Sequence, residues 1–258
     1  MQIFEELSRT PEGVFYGTYG QFRVAQAQGL QDRAYLLAQT LFRKKTTNEH
    51  VAQCIYDNAL VKGDLESAFD AIQILLKNNA ISPSQASEMK THVFLISIKT
   101  LQEKGALNDA YETAKRAFSF QESPEILKLY LPLLLKEGHP RRARSYIKEI
   151  LSVSFDESLF ESLMTLEEIQ DPVSQFQRLQ ELLKNPEQTC EQGLKALIKR
   201  ALKADMRAQA HNLLEIYETR FGINQTALYL SGELATLEGA DTKKIIQFYK
   251  NACITTAS

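Results

Sequence analysis

Apolar and polar positions alternate with a single rhythm along the chain, that of the α-helix. Leu127, Leu131, Leu134 and Leu135 fall at i, i+4, i+7 and i+8, and Leu194, Ile198, Ala201 and Leu202 repeat the spacing; this places one apolar stripe on one helical face. No alternating β-branched run competes. The closest, "HVFLISI" at 92–98, lies inside a periodic segment from Pro83 to Lys104 and reads as helix. Helix starts are signalled by Thr10-Pro11, Ser82-Pro83, Ser123-Pro124, His139-Pro140 and Asn185-Pro186, because proline suits a first helical turn, where its missing N–H costs nothing. Pro132 is different: inside "LYLPLLL" it removes a backbone hydrogen bond and predicts a kink.

The helical segments recur. In "VKGDLESAFDAI" a glycine, Gly63, ends one pattern and Ala68 follows five residues later on the next. The pair returns as Gly29/Ala34, Gly105/Ala110, Gly138/Ala143 and, with aspartate in the glycine slot, Asp205/Ala210. Asp171 and Gly239 hold the slot with Phe176 and Lys244 in place of alanine. The turn positions 29, 63, 105, 138, 171, 205 and 239 are then 34, 42, 33, 33, 34 and 34 residues apart. A period of about 34 residues is that of the tetratricopeptide repeat, a pair of antiparallel helices. Glycine suits the left-handed residue that closes the first helix, and alanine is small where the two helices approach. Asp171 is open to two readings: a turn residue, or an N-cap before Pro172. The expected fold is therefore all-α, an α-solenoid of about seven tetratricopeptide-like helix pairs in a right-handed superhelix. One domain over 1–258 is expected, with the insertion near 78–85 as the only candidate joint.

Composition narrows the function classes. Apolar residues make up 44% and charged residues 24% of 258 residues, as in soluble globular proteins. A net charge of -2 and the lack of interleaved aromatics argue against nucleic acid. No apolar run is long enough to span a membrane. Cys54, Cys190 and Cys253 are odd in number and far apart, which reads as reduced, buried thiols rather than disulfides or a zinc site. The chain lacks GxxxxGK[ST], GxSxG and HExxH, and His50, His92, His139 and His211 are spread over different repeats. No catalytic residue, metal site or cofactor is expected.

Several stretches resemble the C-terminal region of HemY-like proteins, bacterial inner-membrane proteins with tetratricopeptide repeats linked to haem biosynthesis. They are "PEGVFYGTYGQFRVAQAQG" with Gly17 and Gly20, "EGHPRRARSYIKEI", "DPVSQFQRLQELLKNPE", "ALKADMRAQAHNLLE" and "GELATLEGADTKKIIQFYKNA". The resemblance implies a non-enzymatic scaffold on the cytoplasmic side of the inner membrane, with haem-pathway enzymes as candidate partners. The family's two N-terminal membrane helices have no counterpart in the sequence, which implies a soluble fragment or an unanchored relative.

Such arrays bind partners on the face lined by the first helix of each pair. Counting back from each turn places Tyr16, Tyr19, Arg23, His50, Gln53, Asp57, His92, Lys99, Lys128, Lys195 and Lys199 there, along with Glu161, Tyr229 and Glu233. Lys195, Lys199 and Lys203 recur at i, i+4 and i+8 with Arg200 and Arg207 nearby, a basic helix face; Arg141, Arg142, Arg144 and Lys148 form a second basic run. Tyr16, Tyr19 and Phe22 cluster beside Gly17 and Gly20 and read either as close helix packing or as an aromatic ligand face. A protein or peptide partner fits this mixed polarity best. The alternative is a small-ligand module for a porphyrin, with His50 and His92 as ligands. The oligomeric state is left open.

Overall fold

The computed structural model describes residues 2–44, 47–62 and 64–254. Among these residues there are fifteen α-helices and no strand. They are α1 (Gln2–Ser8), α2 (Val14–Ala27), α3 (Gln31–Arg43), α4 (Glu49–Lys62), α5 (Leu65–Lys77), α6 (Pro83–Glu103), α7 (Leu107–Phe120) and α8 (Pro124–Lys136). The chain continues with α9 (Pro140–Val153), α10 (Glu157–Leu166), α11 (Pro172–Leu183), α12 (Glu191–Lys203), α13 (Arg207–Phe221), α14 (Gln225–Leu237) and α15 (Thr242–Ile254). After α1 they fall into seven consecutive pairs, as the repeat predicts. The fold is all-α and tetratricopeptide-like.

One backbone motif closes every pair. Leu30, Asp64, Ala106, His139, Ile169, Met206 and Ala240 each donate their N–H to the carbonyl five residues back, at 2.9–3.0 Å. This bond requires a left-handed residue just before the donor. Gly29, Gly105, Gly138 and Gly239 supply it with φ between 69° and 76°, and Asp205 supplies it with φ 53°. The expected turn at Gly63 lies outside the described residues. In the fifth pair the left-handed residue is Glu168 (φ 58°), three residues before Asp171. Asp171 is instead the N-cap of α11, accepting from the Ser174 N–H at 2.8 Å. Hydrogen bonds from Ser174 hold its carboxyl below the ordinary range.

The alanines five residues after the turns are buried where the helices meet: Ala34, Ala68, Ala110, Ala143 and Ala210. Phe176 is buried in α11, eight residues after the left-handed Glu168, and Lys244 is exposed in the last pair. The insertion after α5 does not form a loop. Ser82 and Gln85 make a reciprocal capping box, and α6 extends to 21 residues.

Two expected starts are turns rather than helices. Thr10-Pro11 opens a short turn in which the Thr10 hydroxyl accepts from the Gly13 N–H at 3.1 Å, and α2 starts only at Val14. At Asn185-Pro186, the Asn185 side chain accepts from the Glu187 N–H, and α12 begins after Cys190. Pro132 lies inside α8. Cys54 is buried, while Cys190 and Cys253 are exposed, so only one of the three thiols has the packing role expected of all.

The helices divide into two compact units, Met1–Leu133 and Leu134–Ser258. In the first, each pair packs on the next through α3 on α4 and α5 on α6. Gly17 and Gly20 of α2 receive α1. A Cβ on Gly17 would lie 2.4 Å from the Ser8 nitrogen, and one on Gly20 would lie 2.3 Å from the Phe4 ring. The Gln21 amide donates to the Phe4 carbonyl and the Ser8 hydroxyl. The glycines therefore seat a helix, and the neighbouring aromatics diverge: Phe22 is fully buried and Tyr16 is 67% exposed.

In the second unit, α11 packs on α12 and α13 on α14. A partly buried ion cluster ties α9, α10 and α11 together. Glu167 receives a bidentate pair of bonds from Arg178 (2.8 and 3.0 Å) and one from Lys148 (2.6 Å). Burial pushes the Glu167 carboxyl up, but the Arg178 and Lys148 bonds outweigh it and hold the group below its ordinary range. Lys148, read from sequence as part of an exposed basic run, is half-buried in this clamp.

Two outcomes follow. Ala110→Leu over-packs α7 against its neighbours and lowers stability by about 1–3 kcal/mol, read as a fall in Tm of about 2–4 °C per kcal/mol. Glu167→Gln lowers the urea-unfolding free energy near pH 7 by about 1–2 kcal/mol. A lowered folded-state pKa gives stability that is present above the ordinary glutamate value, about 4.3, and lost as pH falls through the folded value. The gap between wild type and variant therefore closes in acid, and a gap that stays constant to low pH rules out the clamp.

Candidate partner-binding site

The first helices of the last three pairs line a cavity. Its volume is about 760 Å³, and it lies wholly within the second unit. The N-terminus of α10 contributes Phe155 and Glu157; α12 contributes Gln192, Lys195, Ala196, Lys199, Arg200, Leu202 and Lys203. Tyr229, Glu233, Thr236 and Leu237 come from α14, and Tyr249 from α15. Gly232 lets α15 close in on α14: a Cβ there would stand 3.0 Å from the Tyr249 ring. Tyr249 then meets Tyr229 edge to face at 5.6 Å.

Helical spacing puts Lys195, Lys199 and Lys203 in a row along α12. None of the three is in an ion pair among the described residues. Arg200, beside them in sequence, behaves differently. It is 4% exposed, packs over the Phe160 ring at 5.3 Å, and its Nη2 donates to Glu157 at 2.6 Å and to Glu161. Its Nε–H has no acceptor among the described residues. The expected solvated basic face therefore excludes Arg200, which is a buried strut between α12 and α10. Arg207 also leaves that face, since it bonds Asp205 at 2.9 Å.

The carboxylates at the cavity are already engaged. Glu157 and Glu161 are on Arg200, and Glu233 interacts with the Tyr229 hydroxyl, its charge raising the phenol's pKa. Three ammonium groups that form no ion pair among the described residues thus border a floor of Phe155, Ala196, Leu202 and Leu237. Such a site attracts an anion that also carries apolar surface.

The structure gathers some of the expected site residues and leaves others apart. Lys195, Lys199, Tyr229 and Glu233 line this cavity. In the first unit, Tyr16, Tyr19 and Arg23 lie on α2; His50, Gln53 and Asp57 on α4; His92 and Lys99 on α6; Lys128 on α8. All are exposed except Tyr19, which is half-buried and stacks parallel to Phe15 at 6.4 Å. The Gln53 amide donates to Asp57 at 2.8 Å. His50 and His92 sit on different helices, and no group of three or more His, Cys, Asp or Glu side chains is gathered as a metal site among the described residues. Sequence reading missed Phe155, Glu157, Leu237 and Tyr249.

No family model matches the chain, and no curated protein matches it. Solved structures similar to it include a tetratricopeptide repeat protein from Parabacteroides merdae, 13% identical, with 99% of this chain and 94% of that one covered at a TM-score of 0.37. The P58(IPK) TPR domain is 13% identical, with 96% and 86% covered and a TM-score of 0.32. Pseudomonas aeruginosa pilF is 11% identical, with 92% and 89% covered and a TM-score of 0.25. At these values the likenesses carry no argument, and the fold assignment rests on the chain's own paired helices and turns. No helix among the described residues is long and apolar enough to cross a membrane.

Removing both carboxylates from Arg200 leaves a buried guanidinium without a partner. The double variant Glu157→Ala, Glu161→Ala is expected to lose about 3 kcal/mol of stability, with each single variant losing less than half of that. Chemical denaturation followed by circular dichroism checks this. A double variant as stable as wild type would show that the strut contributes nothing.

Proposed function

We propose that the chain is a non-enzymatic scaffold that binds a protein or peptide partner on the faces of the first helices of its pairs. The observation that carries this reading is the open cavity of α10, α12 and α14, with three unpaired lysines and an apolar floor. Supporting it are the exposed mixed-polarity residues at equivalent positions of α2, α4, α6 and α8: Tyr16, Arg23, His50, Gln53, Asp57, His92, Lys99 and Lys128. A narrower version places the scaffold in a membrane-associated assembly with haem-pathway enzymes. That version rests on the sequence resemblance to HemY-like proteins alone.

A second reading is a small-ligand module. The cavity volume favours it, since drug-sized ligands occupy roughly 300–1,000 Å³. Titration with haem, followed by absorbance, separates the two.

Photo-reactive residues placed at Gln53, His92 and Lys199, with controls at the exposed second-helix positions Lys115 and Glu215, test the scaffold reading in cells. Adducts concentrated at the first three positions are expected. Equal yields at the controls, or no protein adducts at any position, would overturn it.

A further inference from the structure

We infer that the cavity of the second unit binds a small amphipathic carboxylate, an unbranched acyl chain ending in one ionised head; this rests on the small-ligand reading of that cavity and names its ligand class. The site is more than a stretch of the first-helix faces. Tyr249 comes from α15, the second helix of the last pair, and meets Tyr229 of α14 edge to face at 5.6 Å. Gly232 makes this approach possible, because a Cβ there would stand 3.0 Å from the Tyr249 ring. The last helix thereby adds an aromatic wall to the site.

The head group follows from the charges. Lys195, Lys199, Lys203 and Arg200 stand in the lining with two carboxylates, Glu157 and Glu233. Glu157 accepts from Arg200 at 2.6 Å, and Glu161, outside the lining, accepts from the same Nη2. With that third carboxylate counted, the site keeps one positive charge in excess, which a single carboxylate balances. Arg200 adds an independent sign. It is 4% exposed, and its Nε–H has no acceptor among the described residues. Arg178 shows how the same edge of a guanidinium is filled: its Nε and Nη2 donate to the two oxygens of Glu167. A buried N–H without an acceptor is costly, and one ligand oxygen beside Nη2 completes this edge on Arg200.

The tail follows from the floor. Phe155, Ala196, Leu202 and Leu237 carry no hydrogen-bonding side chain, and the rings of Tyr229 and Tyr249 share the lining with them. A wholly polar anion leaves this surface in water, whereas an acyl chain removes it. The volume of about 760 Å³ lies within the range of small-molecule sites, roughly 300–1,000 Å³. Lysine is a compact charge on a flexible stem, so ammonium groups from neighbouring turns of α12 can close on one head.

The test is isothermal titration of the whole chain with octanoate, decanoate and dodecanoate, and with dodecanol and dodecyltrimethylammonium as controls. One equivalent of carboxylate should bind per chain, with affinity rising about two- to fourfold for each added CH₂. Dodecanol should bind at least about tenfold more weakly than dodecanoate, since it lacks the charged head, and the ammonium should not bind. Lys199→Glu with Lys203→Glu, both at exposed positions, should weaken dodecanoate binding at least about tenfold while the circular dichroism spectrum stays helical. Leu237→Ser should flatten the dependence on chain length. No binding, several equivalents per chain, affinity indifferent to chain length, equal affinity for dodecanol, or an unchanged affinity in the lysine variant overturns the proposal. If the carboxylates fail and haem binds, the small-ligand reading stands and only the ligand class is wrong; if haem fails too, that reading falls with it. Cross-links at Gln53 and His92 lie in the first unit and report on the scaffold reading independently.

Discussion

The fold depends on a single hydrogen bond repeated at each turn: an N–H that reaches back five residues to the end of the preceding helix. It satisfies a carbonyl that the helix end would otherwise leave unpaired, and it reverses the chain within three residues. The short reversal forces the second helix against the first, and the buried alanine five residues on lets them approach. Once each pair is closed in this way, the next pair can stack on it. In the second unit the first helices of successive pairs then lie side by side, and this places residues of α10, α12 and α14 around one cavity.

The turn was legible wherever glycine fills the left-handed position. In the fifth pair it was left open between a turn residue and an N-cap. The fifth pair carries an aspartate at the expected spacing, but the left-handed residue is Glu168. For a residue with a side chain that conformation costs roughly 1–2 kcal/mol, little enough for the closing hydrogen bond and packing to offset, so composition gives no warning. Asp171 is put to a different use as the cap of α11. Proline signals were similarly ambiguous. Ser82 and Ser123 precede prolines that begin helices, whereas Asn185 turns its side chain onto its own backbone and starts only a turn.

The candidate site was half legible. A row of lysines at helical spacing can be read from any sequence. That Arg200 within the same segment is buried cannot, because its burial depends on Phe160 beneath it and on Glu157 and Glu161, about forty residues upstream, arriving to neutralise it. The same holds for Gly17 and Gly20. Their spacing announces close packing, yet only the structure shows that the occupant is α1 and not another aromatic-bearing helix.

What the sequence determined by itself is local: helices with a 3.6-residue period, their caps, and a repeat near 34 residues that fixes how many pairs form. Those features follow from backbone sterics and from hydrogen bonds spanning a few residues. What the tertiary structure decided is which charges are free and which are used. Lys148 and Arg178 are consumed by Glu167, and Arg200 by two glutamates, while Lys195, Lys199 and Lys203 remain unpaired beside an apolar floor. A charge's role depends on distance and burial in space, and neither is set until separate pairs of helices have packed together.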